Sequence, residues 1–444
     1  MKTPEPGCGR SRPLRRTALS AALAAAAIAG GVHAAEIDYQ LELALLHSDN
    51  INLSEDNQAK DTILIPRLAF EARQQGTAIA LHARGELERR HYFDNTFPDE
   101  TRTAFAGQLD WALLPERMHL VFEDYLSHEP IDIRDGRYPG NLQRVNVFLA
   151  GPSFLARFGE RNRLRLDLRA SDSHAEVTPG FDGRRYSAVA ALQHELTATS
   201  RASINVASTR AEFDDPPPVA TDYTLQEGFG RYEGSLRGIE YEIDLGHARL
   251  NRAAGDDATT TIARATATWQ ISPRSRLRLR ARHQFSDEVQ DLVVRMSDPD
   301  EPLAADLAGV FSPFVTAGVY RQRSAEIDYR FNGQRLSLRL RPLYRHLRYF
   351  DRPQNDRTMR SAYYRIGYRV RPRADVFFEG YTSKHEFLTQ PREDMDHVHS
   401  LGIDYRMTRH LSWRAEVMRN TRASTQADPR YRENAAQLTI VWMR

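Results

Sequence analysis

The chain has one cysteine in 444 residues, and that residue is Cys8. Past the first thirty-odd positions no thiol remains, so no disulfide can staple the fold. Lysine is almost missing as well. Lys2, Lys60 and Lys384 are the whole set among 61 basic residues, so nearly every cation is a guanidinium. After the N-terminal segment there is no run of about 18 apolar residues, which excludes a transmembrane helix. Strong charge of either sign is absent too. A net charge of +2 gives no bulk electrostatic basis for a nucleic-acid partner, and none is expected.

The one long apolar stretch lies at the start. Arg10, Arg12, Arg15 and Arg16 form a basic region, Leu19–Ile28 is alanine-rich, and Val32-His33-Ala34 offers a small-residue cleavage site. Residues 1–34 are expected to be a signal peptide, leaving 35–444 as one domain. Cys8 sits in the basic region rather than at the end of the apolar one, which argues against a lipid anchor. An exported chain without disulfides must then be held by its own backbone ladder and packing.

What the sequence does have is alternation. In Ser272–Phe285, Leu277, Leu279, Ala281, His283 and Phe285 share one parity, and Arg276, Arg278, Arg280 and Arg282 share the other. Strand side chains alternate between faces, so one face is apolar and the other is a ladder of cations. The unit recurs. Leu164, Leu166, Leu168 and Ala170 oppose Arg163, Arg165, Asp167 and Arg169; Leu336, Leu338 and Leu340 oppose Arg335, Ser337, Arg339 and Arg341; Ile366, Tyr368 and Val370 oppose Arg365, Arg369 and Arg371.

Two kinds of break separate these stretches. Nine are tight and rich in Pro, Gly, Asn or Arg, such as Gln74–Gly76, Gly159–Asn162 and Arg371–Arg373. Ten are longer and polar, such as His47–Lys60, Glu129–Asn141 and Glu288–Val315. Short turns on one side and long loops on the other, with strands longer than those of soluble sheets, are the pattern of a transmembrane β-barrel. The expected fold is all-β: an antiparallel up-and-down barrel of about 20 strands. Merging weak pairs gives 18 or 16, and the glycines of Asp222–Arg252 blur the strand ends most.

Magnitudes decide which face is which. An arginine on the lipid face costs about 2–4 kcal/mol at the membrane midplane. Four from one strand would cost on the order of 10 kcal/mol, comparable with the stability of a domain. The arginines are therefore expected to line the pore: Arg163, Arg165, Arg169, Arg276, Arg278, Arg280, Arg282, Arg335, Arg339, Arg341, Arg365 and Arg369. Asp167, Glu86, Glu88, Glu379 and Glu416 are their expected counter-charges. Trp111, Trp269, Trp413 and Trp442 all fall near tight turns and on the apolar parity, as a membrane girdle requires. Tyr92, Phe93, Phe285, Tyr349 and Phe350 are candidates for the opposite girdle, and Tyr344 is a candidate sugar-stacking ring if it faces inward. The final strand ends Trp442-Met443-Arg444, two residues past the aromatic that the outer-membrane insertion machinery usually meets last.

With these residues in view, the chain resembles the β-barrel porin families encoded beside exopolysaccharide and PEP-CTERM/exosortase systems in Gram-negative bacteria. The likeness rests on Tyr39–Leu43 followed by Ser48-Asp49-Asn50-Ile51, on the Asp61–Phe70 strand with Pro66, and on the hairpin repeat after it. It implies a Gram-negative outer-membrane location and a role as conduit or assembly component in surface-glycan export. The implied partners are outer-membrane lipid and lipopolysaccharide, the insertion machinery, polysaccharide, and periplasmic export components. It implies no catalytic residues. A non-conducting structural barrel and an outer-membrane hydrolase are the alternatives.

Other constellations fall short of the spacing their chemistry needs. Asp49, Asn50, Asn52, Glu55, Asp56 and Asn57 lack calcium-loop spacing and its glycine. His397 and His399 share a strand face beside Asp394 and Asp396, with no third ligand evident. Ser171, Ser173 and His174 lie near one another, but no G-x-S-x-G elbow occurs. No metal, cofactor or enzymatic activity is expected. The loop Glu288–Val315, with Asp298, Asp300 and Glu301 and helical spacing over Leu303–Phe311, either folds inward against the arginine ladders or lies outward.

Overall fold

The structure, a computed structural model, describes residues 36–215, 220–301, 303, 318–426 and 430–444. The expected signal peptide, Cys8 and residues 304–311 lie outside these. The first strands are β1 Glu36–Ser48, β2 Asp61–Gln75, β3 Ile79–Tyr92, β4 Glu100–Leu114 and β5 Met118–Pro130. Next come β6 Leu142–Phe158, β7 Asn162–Ala175, β8 Gly183–Thr197, β9 Ser200–Phe213 and β10 Tyr223–Leu236. Then follow β11 Ile239–Arg252, β12 Ala258–Ser272, β13 Ser275–Asp287, β14 Val319–Asn332 and β15 Leu336–Tyr349. The last are β16 Arg357–Arg371, β17 Ala374–Phe387, β18 Glu393–Arg406, β19 Leu411–Ser424 and β20 Tyr431–Met443.

Every strand pairs antiparallel with its neighbour in sequence, and β1 pairs with β20 from Gln40 opposite Met443 to Ser48 opposite Ala435. The result is a closed 20-stranded barrel, which leaves no free edge for aggregation. Short turns collect at one end and long loops at the other. The glycine-blurred stretch resolves into two strands of 14 residues each, β10 and β11.

Three prolines mark local gaps in the ladder. Pro66, Pro152 and Pro342 each sit where one pairing skips: between Leu64 and Arg67 of β2–β3, between Ala150 and Ser153 of β6–β7, and between Glu326 and Tyr329 of β14–β15. Proline has no N–H to give, yet each keeps its register with the strand on its other side. Beside Pro152, a Cβ on Gly151 would lie 2.0 Å from the Leu168 carbonyl oxygen. Only glycine lets β6 close on β7 there. Gly151→Ala is expected to push the two strands apart and to lower stability by about 1–3 kcal/mol. The readout is an earlier midpoint in heat-dependent gel mobility of the folded barrel.

The outer face is apolar. Leu41, Leu168, Ile204, Leu245, Leu279, Leu401 and Val417 each stand exposed on it. The inner face carries ladders of ion pairs, with others on the outer face toward the long loops, and one helix, α1 (Glu288–Met296), which enters the barrel directly from β13.

Candidate functional site

Helix α1 begins because Asp287 caps it: its carboxylate accepts from the N–H of Gln290 at 2.7 Å. Val289, Leu292 and Met296 fall on one face and bury against Tyr125 of β5, Val145 and Val147 of β6, and Ala175 of β7. Glu288 and Asp291 occupy the first turn and Arg295 the last, the order the helix dipole favours. The helix and the residues after it, to Glu301, form a strap across the barrel interior.

Charge fixes the strap from every side. At its start Asp287 meets Arg185 of β8 at 3.1 Å and the Tyr223 hydroxyl of β10. Asp291 meets Tyr320 of β14 and Arg345 of β15, and Arg295 meets Glu129 of β5. Further on, Asp298 takes Arg278 and Arg280, Asp300 takes Arg278 at 2.8 Å and Arg330 at 3.0 Å, and Glu301 takes Arg341 at 2.6 Å. Arg84 of β3 spends its guanidinium on four strap carbonyls, those of Met296, Asp298, Pro299 and Glu301, at 2.9 to 3.1 Å. Burial alone would raise the carboxyls of Asp298 and Asp300. The guanidiniums of Arg280, Arg278 and Arg330 outweigh it and hold both below the usual range. For Glu288–Glu301, the described part of this loop, the inward alternative is therefore the one observed.

Beside the strap lies a compartment of about 1550 Å³ against β1–β3 and β15–β20. It reaches the short-turn rim at Asp38, Arg373, Arg406 and Arg409. At the other end the β5–β6 loop caps it. Arg134 reaches the Gln354 carbonyl and Asn355 at 2.9 and 3.1 Å and lies over the Phe387 ring. Arg422 of β19 donates to the carbonyls of Ile133 and Asp135, and Arg392 to that of Arg134. Both arginines are anchored on the buried Asp394 carboxylate, at 3.1 and 2.9 Å.

Ten of the twelve arginines predicted to line the pore are paired with a carboxylate. Arg163 pairs with Glu195 at 2.6 Å, and Arg165 and Arg169 flank Asp167 at 2.7 and 3.6 Å. Arg276 stands 3.7 Å from Asp300, Arg339 is 3.0 Å from Asp328, Arg365 meets Glu379, and Arg369 meets Asp375 at 3.1 Å. Arg282 faces inward on β13 with no carboxylate in salt-bridge range among the described residues. Arg335 departs from the expectation: it sits exposed in the short turn before β15, where its carbonyl accepts from the Arg369 N–H. Of the expected counter-charges, Glu88 binds Arg67 at 2.6 Å, and Glu86 and Glu416 line the compartment.

All four tryptophans lie on the outer face near short turns. Trp111 and Trp269 are exposed, Trp413 stacks on Tyr405 at 5.7 Å, and Trp442 tilts on Tyr39 at 5.3 Å. The opposite aromatic girdle is not as expected. Tyr92 and Tyr349 face inward and are buried, Phe285 is buried against Phe350, and Phe93 is exposed. Tyr344 points outward and cannot stack a sugar in the lumen. His397 and His399 stack on the outer face while Asp394 and Asp396 take the inner one, and no metal-holding cluster occurs among the described residues. Ser173 is buried inside beside Arg185, and His174 points out toward Asp182, so the two share no site.

Glu288 gives the strap a pH dependence. Burial first, then the neighbouring Asp287 charge, push its carboxyl from 4.5 up to about 8. Docked, it stays neutral through neutral pH; released, it ionises above about 4.5. Docking is thus favoured below that value and weakens as pH rises to about 8, with no further loss beyond. Asp298 and Asp300 act oppositely, losing their contribution only as pH falls below the usual carboxylate range. We expect strap-limited conductance to rise between about pH 5 and 8, and Glu288→Gln to flatten that rise in planar-bilayer recordings.

No protein-family model matches the chain, and no curated protein matches it in sequence. Among solved structures it is similar to a mutant of the ferric enterobactin receptor PfeA of Pseudomonas aeruginosa, with TM-score 0.44 and 10% identity over 93% of this chain and 81% of that one. It is similar to P. aeruginosa OccK2 (OpdF) in complex with glucuronate, with TM-score 0.39 and 11% identity over 93% and 99%. P. aeruginosa OccK8 (OprE) gives TM-score 0.38 and 9% identity over 94% and 99%. These are likenesses of barrel to barrel, and no functional argument rests on them.

Proposed function

We propose that this chain is a porin-like barrel of the Gram-negative outer membrane, and that its narrowed lumen is a gated conduit in surface-polysaccharide export. The outer face supports the membrane reading. A water-soluble monomer rarely exposes an apolar patch above a few hundred Å², and here exposed leucines, isoleucines and valines recur on strands all round the wall. With an even strand count both ends of the wall sequence fall on the short-turn side, the periplasmic one. Lipid and lipopolysaccharide surround the wall, and the insertion machinery assembles it. Export components in the periplasm would meet the arginines of the short-turn rim.

One observation carries the conduit reading: the compartment is lined by guanidiniums and carboxylates already paired with one another. Such a lining offers donors and acceptors side by side without a strong net field. It suits the hydroxyls of a neutral or weakly acidic glycan better than a free ion. Tyr363, Tyr381 and Tyr431 add aromatic surface to the same compartment. The pore-lining arginines act in this scheme as hydrogen-bonding rungs.

The test is single-channel recording of the reconstituted chain with added neutral and acidic oligosaccharides. A small conductance that sugars interrupt supports the conduit. No conductance, even with the strap removed, sinks it and favours the second reading, a non-conducting structural barrel, which the strap and the cap together support.

A further inference from the structure

Directly opposed cations across a strand pair repel, and the rule at the two inward pairs that follow is a bridging carboxylate. Arg276 opposes Arg330, and Asp300 lies 3.7 and 3.0 Å from the two. Arg330 opposes Arg339, and Asp328 lies 2.8 and 3.0 Å from them. Both pairs face inward.

On the outer face, toward the long-loop end, the rule breaks. Arg321 of β14 opposes Arg348 of β15, and Arg323 opposes His346 on β15 and His283 on β13. Among the described residues none of these three arginines has a carboxylate within salt-bridge distance. Their contacts are instead neutral or basic: Arg321 donates to the Thr259 carbonyl at 3.3 Å, and Arg323 to the His283 ring at 3.3 Å. The Nε of Arg321 is buried without a partner. Asp356 stands near Arg348 and His346 without reaching salt-bridge distance of the arginine, and its carboxylate accepts from the Tyr349 N–H at 2.7 Å. Below the cluster on the same face lie Ala325, Ile327, Leu340 and Tyr344, all exposed.

We infer that this patch binds the phosphate of a membrane lipid headgroup. Arg321, Arg323 and Arg348 hold the anion, and the acyl chains lie on the apolar surface beneath. Guanidiniums bind phosphate through two parallel N–H donors, so one phosphate can bridge an opposed pair as Asp300 and Asp328 do inside. The depth is right: a phosphate sits at the boundary of the apolar belt, where the outward side chains change from leucine to arginine. The inference rests on the membrane-barrel reading, because only a lipid presents a phosphate and acyl chains together to an outer wall.

Native mass spectrometry of the intact barrel in mixed micelles tests it, with dioleoylphosphatidic acid and dioleoylglycerol as probes. The wild type should retain the phosphatidic acid and release the diacylglycerol. R321Q/R323Q/R348Q should weaken retention by at least about tenfold, with R323Q alone giving a smaller loss. R184Q/R210Q, which removes outward arginines already beside Asp172 and Glu212, should leave it unchanged. Heat-dependent gel mobility confirms that each variant is folded. Equal retention by the triple variant, or no preference for the phosphorylated lipid in the wild type, overturns the inference. Displacement of the lipid by millimolar inorganic phosphate would make this a free-anion site and overturn it too. A protein that fails to enter vesicles at all refutes the barrel reading instead.

Discussion

Excising residues 289–317 and joining the strands with a short glycine linker should raise single-channel conductance several-fold. The strap crosses the interior and is tied to β3, β5, β8, β10, β13, β14 and β15. Removing it joins the space it occupies to the 1550 Å³ compartment. A milder variant separates bulk from charge. D298N/D300N/E301Q keeps the strap's shape and removes its charge-assisted bonds to Arg278, Arg280, Arg330 and Arg341, leaving only neutral amide acceptors. Hydrogen bonds to charged groups contribute about 1.5–3 kcal/mol each, and moving a two-state element from 1:99 to 99:1 takes about 5.5 kcal/mol. Losing several of these bonds is therefore enough to release a strap that was docked. Three negative charges fewer would also shift the lumen toward anion selectivity, most of all at Arg278, because Arg330 keeps Asp328 and Arg280 and Arg341 keep Glu326. Planar-bilayer conductance and reversal potential in a salt gradient read both effects. An unchanged conductance in the excision variant would mean that the strap does not limit the path.

How much of this was legible in the residues depends on what sets each feature. Strand parity is local, so Arg276–Arg282 against Leu277–Ala281 assigns both faces without any knowledge of neighbours. Turn chemistry is local too, which is why the nine tight breaks and ten long ones fall where the strands end. Parity also places Tyr92 with Glu88 and Arg90, and Tyr349 with Arg345, on the inner face. Reading them as an outer girdle set composition above the alternation. Phe285 has outward parity, and its burial comes from above the last β12–β13 pairing, Ala263 with His283, where it packs against Phe350. The helix carried a signal that spacing reveals: Asp287 is a favoured N-cap residue, and Val289, Leu292 and Met296 make its stripe. The cap over the compartment carried none. Arg134 and Asn355 meet across 221 positions of chain, and only closure of the barrel brings them together.

Leu168→Arg is the sharpest test of the wall itself. Leu168 stands near the middle of β7 on the outer face and is 37% exposed, so in an aqueous protein an arginine there would change stability by no more than about 0.5 kcal/mol. In a bilayer the same substitution places a guanidinium near the midplane and should cost about 2–4 kcal/mol. The inner neighbours make the control. Arg165 and Arg169 already stand three residues and one residue away on the same strand with Asp167 between them, and they are tolerated because that face is wet and paired. Unfolding of both forms in lipid vesicles by urea, followed by tryptophan emission, measures the difference. The four tryptophans lie on the outer face and report directly on lipid contact. A loss of several kcal/mol in vesicles is the expected result, because more than a third of Leu168 is open on the outer face and a longer side chain there extends into lipid. A variant as stable as the wild type would mean that water, not acyl chains, bathes the leucine face, and the opposed faces of every strand would need another explanation.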